Sequence, residues 1–134
     1  MSKHLVFVYG TLRRGGVRAM PGLFPGSEFV GVAGVRGSLY DFGEYPGLVL
    51  DGAGSPVAGE VYEVGEDVLK ELDDIEAPAH YSRREVEVSL GGEGVRCWVY
   101  EPDLSLYPRR ELIASGDWIE YAGTKTDRPG DPFK

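Results

Sequence analysis

Short apolar runs separated by glycine- and proline-bearing breaks recur along the chain, the texture of short strands joined by tight turns. Leu5 to Tyr9 (LVFVY) is β-branched and aromatic and stops at Gly10, so it predicts a buried strand that runs into a tight loop. Residues 28–40, 47–51, 57–64, 82–90 and 95–101 predict strands in the same way. Within 82–90, Val86, Val88 and Leu90 alternate with Glu85, Glu87 and Ser89, the period of a strand with one wet face. Val95 to Tyr100 is nearly all apolar, which predicts a central strand.

One helical pattern interrupts the strands. Glu66 to Ile75 opens on acids, sets Val68, Leu69, Leu72 and Ile75 at helical spacing, and is ended by Ala77-Pro78. A second short helix is predicted near 109–115. The polar, proline-bearing stretch Thr124–Lys134 reads as a loose tail after a domain over 1–123. Strands, a helix, then more strands predict an α+β domain with a curved or closed, antiparallel-rich sheet.

At 134 residues the chain fits one domain, which buries about two-thirds of the surface its unfolded form exposes around one shared core. Charge narrows the partners. Fourteen basic against 22 acidic residues give a net charge of −8, the wrong sign for holding polyanionic phosphate, so neither nucleic acid nor anionic membrane is an expected partner. The stretch from Met1 to Tyr9 is too short for a signal-peptide core or a membrane span, which predicts a cytoplasmic protein. Cys97 is the single cysteine, which excludes an intrachain disulfide and a cysteine-built zinc site and fits a reducing compartment. The chain holds neither Asn nor Gln; loss of thermolabile amides is one trend of heat-adapted proteins, and a biased genome gives the same usage. Oligomeric state stays open at this level.

Candidate chemistry gathers at the end of the 66–75 helix. Glu71, Asp73, Asp74 and Glu76 crowd the terminus at which the macrodipole disfavours negative charge. At about 100° per residue, with Leu69 at zero, the apolar side chains fill an arc from about −120° to zero, and Glu76 falls inside it near −20°. Asp74 and Glu71 face the opposite side, and Asp73 sits at the border. A carboxylate held against apolar neighbours and a helix C-terminus has its pKa raised, as a general acid or base working near neutral pH requires. The alternative is a helix that stops one residue early, with Glu76 in solvent or paired with Arg83 or Arg84.

A second candidate is the loop Tyr9-Gly10-Thr11-Leu12-Arg13-Arg14-Gly15-Gly16, whose backbone N–H groups suit an anion such as a carboxylate; an ordinary turn is the plainer reading. It is no P-loop, since Gly16 and Val17 stand where Lys and Ser or Thr are required. No nucleophile-elbow motif is present, His4 and His80 are the only histidines, and Cys97 lies mid-strand as a small core residue. His80 with its neighbouring acids matches no metal-ligand spacing.

Taken together, Val6-Phe7-Val8-Tyr9-Gly10-Thr11-Leu12, Leu72-Asp73-Asp74-Ile75-Glu76, Tyr81-Ser82-Arg83 and Trp98-Val99-Tyr100 resemble the gamma-glutamylcyclotransferase-like family, whose signature pairs a YG[ST]L loop with a helix-end LDxxE. The order and separation of these blocks match over roughly residues 4–121. The resemblance implies a small mixed β-barrel with flanking helices and a pocket between loop and glutamate. It implies that Tyr9, Gly10, Thr11 and Leu12 bind the glutamyl portion of a small γ-glutamyl substrate and that Glu76 is the acid/base. Tyr40, Tyr81, Arg83 and Tyr100 are the expected pocket walls, and neither metal nor cofactor is implied. The implied reaction is attack of the α-amine on the side-chain amide carbonyl, releasing 5-oxoproline and a free amine. Family members often carry Gly directly after the glutamate, whereas Ala77-Pro78 follows here. Two other readings accompany this one: a non-catalytic binding module for a small carboxylate or γ-glutamyl ligand, and hydrolysis of a different amide with Glu76 activating water.

Overall fold

The structure, a computed structural model, describes residues 3–16 and 19–126, with side chains as far as Gly123. The strands are β1 (Lys3–Val8), β2 (Glu28–Asp41), β3 (Pro46–Leu50), β4 (Ser55–Gly65), β5 (Tyr81–Leu90), β6 (Glu93–Pro102) and β7 (Glu111–Leu112). The helices are α1 (Met20–Leu23), α2 (Glu66–Glu76) and α3 (Trp118–Thr126). In sheet order, β2, β4, β1, β6 and β5 are neighbours, and β5 returns to β2 through Ala33↔Leu90 and Gly34↔Ser89, so the sheet closes into a barrel. The barrel is mixed because β1 runs parallel to β6, in register at Val6↔Trp98, while the other pairs are antiparallel. β2 also carries β3 and, beyond the end of β4, the short β7.

Burial on both sides explains why β1 is continuously apolar rather than alternating. Phe7 points into the barrel with Leu39, Leu48, Val57, Val61, Val88, Cys97 and Val99, and Trp118 of α3 plugs this cluster. Val6 and Val8 point outward against Leu69 and Leu72 of α2, joined by Leu12, Met20 and Phe24. The one shared core expected from chain length is therefore two layers, with the wall of β1 and β4 between them. The helix expected over 66–75 is α2, one residue longer, followed by a 3₁₀ turn over Ala77–Ala79.

The helix expected near 109–115 is absent. Within that stretch Glu111–Leu112 form β7, and Ile113 N–H donates to Leu39 O at 2.8 Å. Only Ile113 is buried while Leu112 is 62% exposed, so the segment offers no apolar face to hold a helix, and the open edge of β2 takes its backbone instead. The helix lies later, at α3, after Gly116 in the left-handed region (φ 67°). Of the tail expected over Thr124–Lys134, residues 124–126 belong to α3 and 127–134 lie outside the described residues. Among the described residues no helix is long and apolar enough to cross a membrane.

Leu72 is fully buried in the layer that joins α2 to the barrel. Leu72→Ala is expected to cost about 2–5 kcal/mol in denaturant unfolding. Glu71→Ala, on the exposed face of the same helix, is expected to stay within about 0.5 kcal/mol of the parent.

Candidate active site

The direction of the elements determines where the chemistry can meet. β4 is antiparallel to β1, with Gly65 opposite Lys3, so α2 starts at the barrel end where β1 begins. The Glu66 carboxylate, at that start, accepts from His4 Nε2 at 2.7 Å, which holds the helix beside β1. The helix then runs back along the wall for about 16 Å at 1.5 Å per residue, close to the length of β1, and ends at Glu76 near the loop that leaves β1. Parallel pairing sends the C-terminal ends of β1 and β6 to that same end, and antiparallel β5 starts there.

A solvent-open cleft of about 430 Å3 lies between these ends. Tyr9, Gly10, Thr11 and Leu12 form one side, with Phe7 and Val8 below them; Glu76, Tyr81, Tyr100, Tyr45 and Pro46 complete it. Of the residues expected at a site, Tyr40 and Arg83 stand outside this lining. Tyr40 pairs with Gly47 and Leu112 on β2, its ring 5.3 Å from the Arg110 guanidinium. Arg83 turns to the side of α2, as described below. Tyr45, an aromatic expected as core by default, and Pro46 are not among the expected site residues; they lie at the end of the β2–β3 connection and the start of β3, and only the fold of that hairpin brings them to the cleft.

The loop is closed by two turns, Arg13 N–H to Gly10 O at 3.0 Å and Gly16 N–H to Arg13 O at 2.8 Å. A Cβ on Gly10 would stand 2.6 Å from the Pro46 ring, and one on Gly16 would stand 2.4 Å from the Thr11 carbonyl oxygen. Glycine is required at both positions by close approach, the first against the far wall of the cleft and the second within the loop itself.

The carboxylates at the end of α2 divide their roles. Asp73 receives Arg83 Nε at 2.9 Å and a second guanidinium N–H at 3.2 Å, and the Tyr100 hydroxyl donates to it at 2.7 Å. The same guanidinium lies 4.3 Å from the centre of the Trp98 ring. This bidentate, stacked tie clamps the C-terminal turn of α2 to β5 and β6. Arg83 therefore pairs with Asp73, and Glu76, half-buried, lines the cleft.

The phenols around Glu76 are held by the backbone. The Tyr9 hydroxyl donates to Tyr100 O at 2.7 Å and accepts Leu48 N–H at 3.1 Å, and the Tyr81 hydroxyl donates to Pro46 O at 2.6 Å. Tyr107 donates to Ala79 O, stacks on Phe42 at 4.1 Å and meets the Tyr45 hydroxyl at 3.1 Å. Burial pushes the phenols of Tyr9, Tyr81, Tyr100 and Tyr107 above their ordinary range, and the charge of Glu76 adds to the shift in each. These groups stay neutral at neutral pH, so the cleft combines one carboxylate, uncharged aromatic walls and a glycine-bearing loop. Among the described residues no group of His, Cys, Asp and Glu is arranged to hold a metal ion.

The family model described as gamma-glutamyl cyclotransferase, AIG2-like, matches residues 6–120. A Vibrio cholerae protein with a provisional gamma-glutamylcyclotransferase name is 40% identical over 121 residues, covering 88% of this chain and 97% of that protein. Rattus norvegicus gamma-glutamylaminecyclotransferase is 36% identical over 115 residues, covering 71% of this chain and 75% of the rat protein. The crystal structure of an AIG2-like protein from Mus musculus superimposes with a TM-score of 0.74 at 28% identity, covering 88% of this chain and 89% of that one.

Tyr9→Phe strands the Leu48 N–H and the Tyr100 carbonyl in a buried site, and it is expected to cost about 1–3 kcal/mol in denaturant unfolding. Burial pushes the Cys97 thiol up to about 11. In the native protein it is expected to react with a thiol reagent at pH 8 at least about 100-fold more slowly than free cysteine, and at the free rate once unfolded.

Proposed function

The chain belongs to the gamma-glutamyl cyclotransferase, AIG2-like family, and from that premise we propose that it releases 5-oxoproline from a small γ-glutamyl amine with Glu76 as general acid/base. The observation that carries this reading is the cleft itself, in which Glu76 and the Tyr9–Leu12 backbone line the same space.

In the proposed reaction the loop backbone holds the glutamyl α-carboxylate or the developing oxyanion, and the side chain of the substrate folds back so that its α-nitrogen approaches its own γ-carbonyl. Glu76 takes a proton from the α-ammonium, the freed amine forms the new C–N bond, and a tetrahedral oxyanion results. Collapse of that oxyanion breaks the original amide bond as the proton held by Glu76 passes to the departing amine; the ring nitrogen gives its second proton back to Glu76, which hands it to the amine or to solvent, leaving the lactam N–H. Substrate atoms are conserved between 5-oxoproline and the amine, with no water consumed. The aromatic rings of Tyr45 and Tyr81 belong to the cleft lining and are candidates for contact with the amine portion of the substrate.

Proximity does much of the work in a five-membered ring closure, since both reacting groups belong to one molecule. The protein supplies the folded conformation and the proton path. The Asp73–Arg83–Tyr100 tie supports this role by holding the helix end that carries Glu76.

The test is 5-oxoproline release from a panel of γ-glutamyl compounds, namely γ-glutamyl-ε-lysine, glutathione, γ-glutamyl amino acids and γ-glutamyl metabolites. The parent protein is expected to turn over at least one, with equimolar free amine, and Glu76→Gln to lose about 10²-fold or more in kcat. Glutamate as the product would replace cyclisation by hydrolysis. Equal binding of γ-glutamyl ligands by both proteins without turnover would leave a binding module.

A further inference from the structure

A buried acid outside the cleft holds the loop that lines it. Glu60 sits on β4 opposite Val8 of β1 and Val32 of β2 and is 3% exposed. A carboxylate so desolvated persists only where donors meet its lone pairs and a cation meets its charge. The Tyr62 hydroxyl and the Arg14 backbone N–H both donate to Glu60 Oε1 at 3.0 Å, and Arg13 Nε donates to Oε2 at 3.4 Å. The Arg13 side chain is 11% exposed, and its guanidinium continues to Asp117 Oδ1 at 2.8 Å, just ahead of α3.

Arg13 is thus tied to the barrel wall on one side and to the foot of α3 on the other. Its backbone also closes both turns of the loop, as donor to Gly10 and acceptor from Gly16. Stability alone does not call for this arrangement, because a buried ion pair replaced by well-packed apolar residues is often neutral or stabilising. What an ion pair supplies that an apolar contact does not is direction: the guanidinium plane and the carboxylate fix the loop at one distance and one angle.

We propose that Glu60 and Arg13 are positioning residues for the proposed reaction: their buried ion pair sets the Gly10–Leu12 backbone at the distance from Glu76 that a γ-glutamyl group requires. The inference rests on the cyclotransferase reading above. Neither side chain lines the cleft, and both act through the loop. In this role the loop holds the α-carboxylate, which it grips alike before and during reaction, so loosening the tie raises KM while leaving kcat.

Glu60→Gln tests this most closely. The amide oxygen still accepts from Arg14 and Tyr62, while an NH2 group is turned toward Arg13, donor against donor. The expected result is a KM for the turned-over γ-glutamyl compound raised about tenfold or more, with kcat within about threefold of the parent. Arg13→Met is expected to match it, Arg13→Lys to restore part of the loss, and the Glu60→Gln/Arg13→Met double variant to be no worse than either single change. A purely structural role predicts otherwise: a lower melting midpoint or less folded protein, with KM unchanged in what remains folded, and that result overturns the proposal. If Glu60→Gln does not fold, the Arg13→Met and Arg13→Lys pair decides on the same readout. If the parent protein itself releases no 5-oxoproline, the proposed reaction falls, and amide hydrogen exchange over residues 10–14 judges the loop without substrate. Exchange about tenfold or more faster in the variants then supports the tie as what fixes the loop, and equal exchange overturns it.

Discussion

A strand that is apolar on both faces must be covered on both, and the rest of this structure follows from that demand on β1. Phe7 requires the barrel interior, while Val6 and Val8 require a layer outside it, which α2 supplies with Leu69 and Leu72. Each fully buried side chain of this size is worth about 1.5–3 kcal/mol relative to exposure, so the two layers together outweigh any local preference of the connecting segments. Once α2 must lie along β1 and must begin where β4 ends, its last residue has one place to go. Glu76 reaches the rim of the barrel at the end where β1 leaves as a loop. The position of the acid is a consequence of covering a hydrophobic strand.

Parallel pairing of β1 with β6 adds a second consequence. It delivers Tyr9 and Tyr100 to the same end of the barrel, and the Tyr9 hydroxyl spans from the Tyr100 carbonyl to the Leu48 N–H. Similar anchoring recurs around the cleft, where Tyr81 and Tyr107 donate to backbone carbonyls. A phenol held at its polar end presents its ring in one orientation, so the walls are pre-formed and binding costs them little ordering entropy. Among the described residues no buried side-chain nitrogen or oxygen lacks a partner. Polar atoms are thus placed in the interior without leaving donors or acceptors stranded.

The two sides of the cleft are held by arginine–carboxylate ties of different character. Asp73 and Arg83 are 38% and 28% exposed, so water screens their attraction, and the bidentate geometry and the Trp98 face do more to fix the helix end than the charge does. Glu60 and Arg13 are 4% and 11% exposed, so their charges carry a large desolvation cost that only complete hydrogen bonding offsets. Burial also raises the Tyr62 phenol to about 12, with the bond to Glu60 and its charge adding to the shift, so that hydroxyl stays a donor to the acid throughout the physiological range.

Hydrophobic period alone determined the strands β1 to β6 and the helix α2, because each is long enough for its apolar spacing to dominate local alternatives. It also put Glu76 on the apolar side of α2, since that is a matter of angle within one helix. The Tyr9–Leu12 loop and the helix-end glutamate were legible as motifs, and their pairing pointed to the family. Tertiary structure decided the rest. Glu111 and Leu112 became β7, and the rest of 109–115 stayed non-helical, because the edge of β2 was open to pair with, a fact no local window contains. Arg83, expected at the cleft, was drawn to Asp73 and Trp98, and Tyr40 stayed on its strand, whereas Tyr45 and Pro46 arrived from a hairpin with no signature. Glu60 was one of two acids in the run 57–64, and the arginines that meet it lie 46 and 47 residues away in the chain. A sequence fixes which faces are apolar because that depends on neighbours a few positions apart; which polar side chains meet depends on how closed strands bring distant segments together.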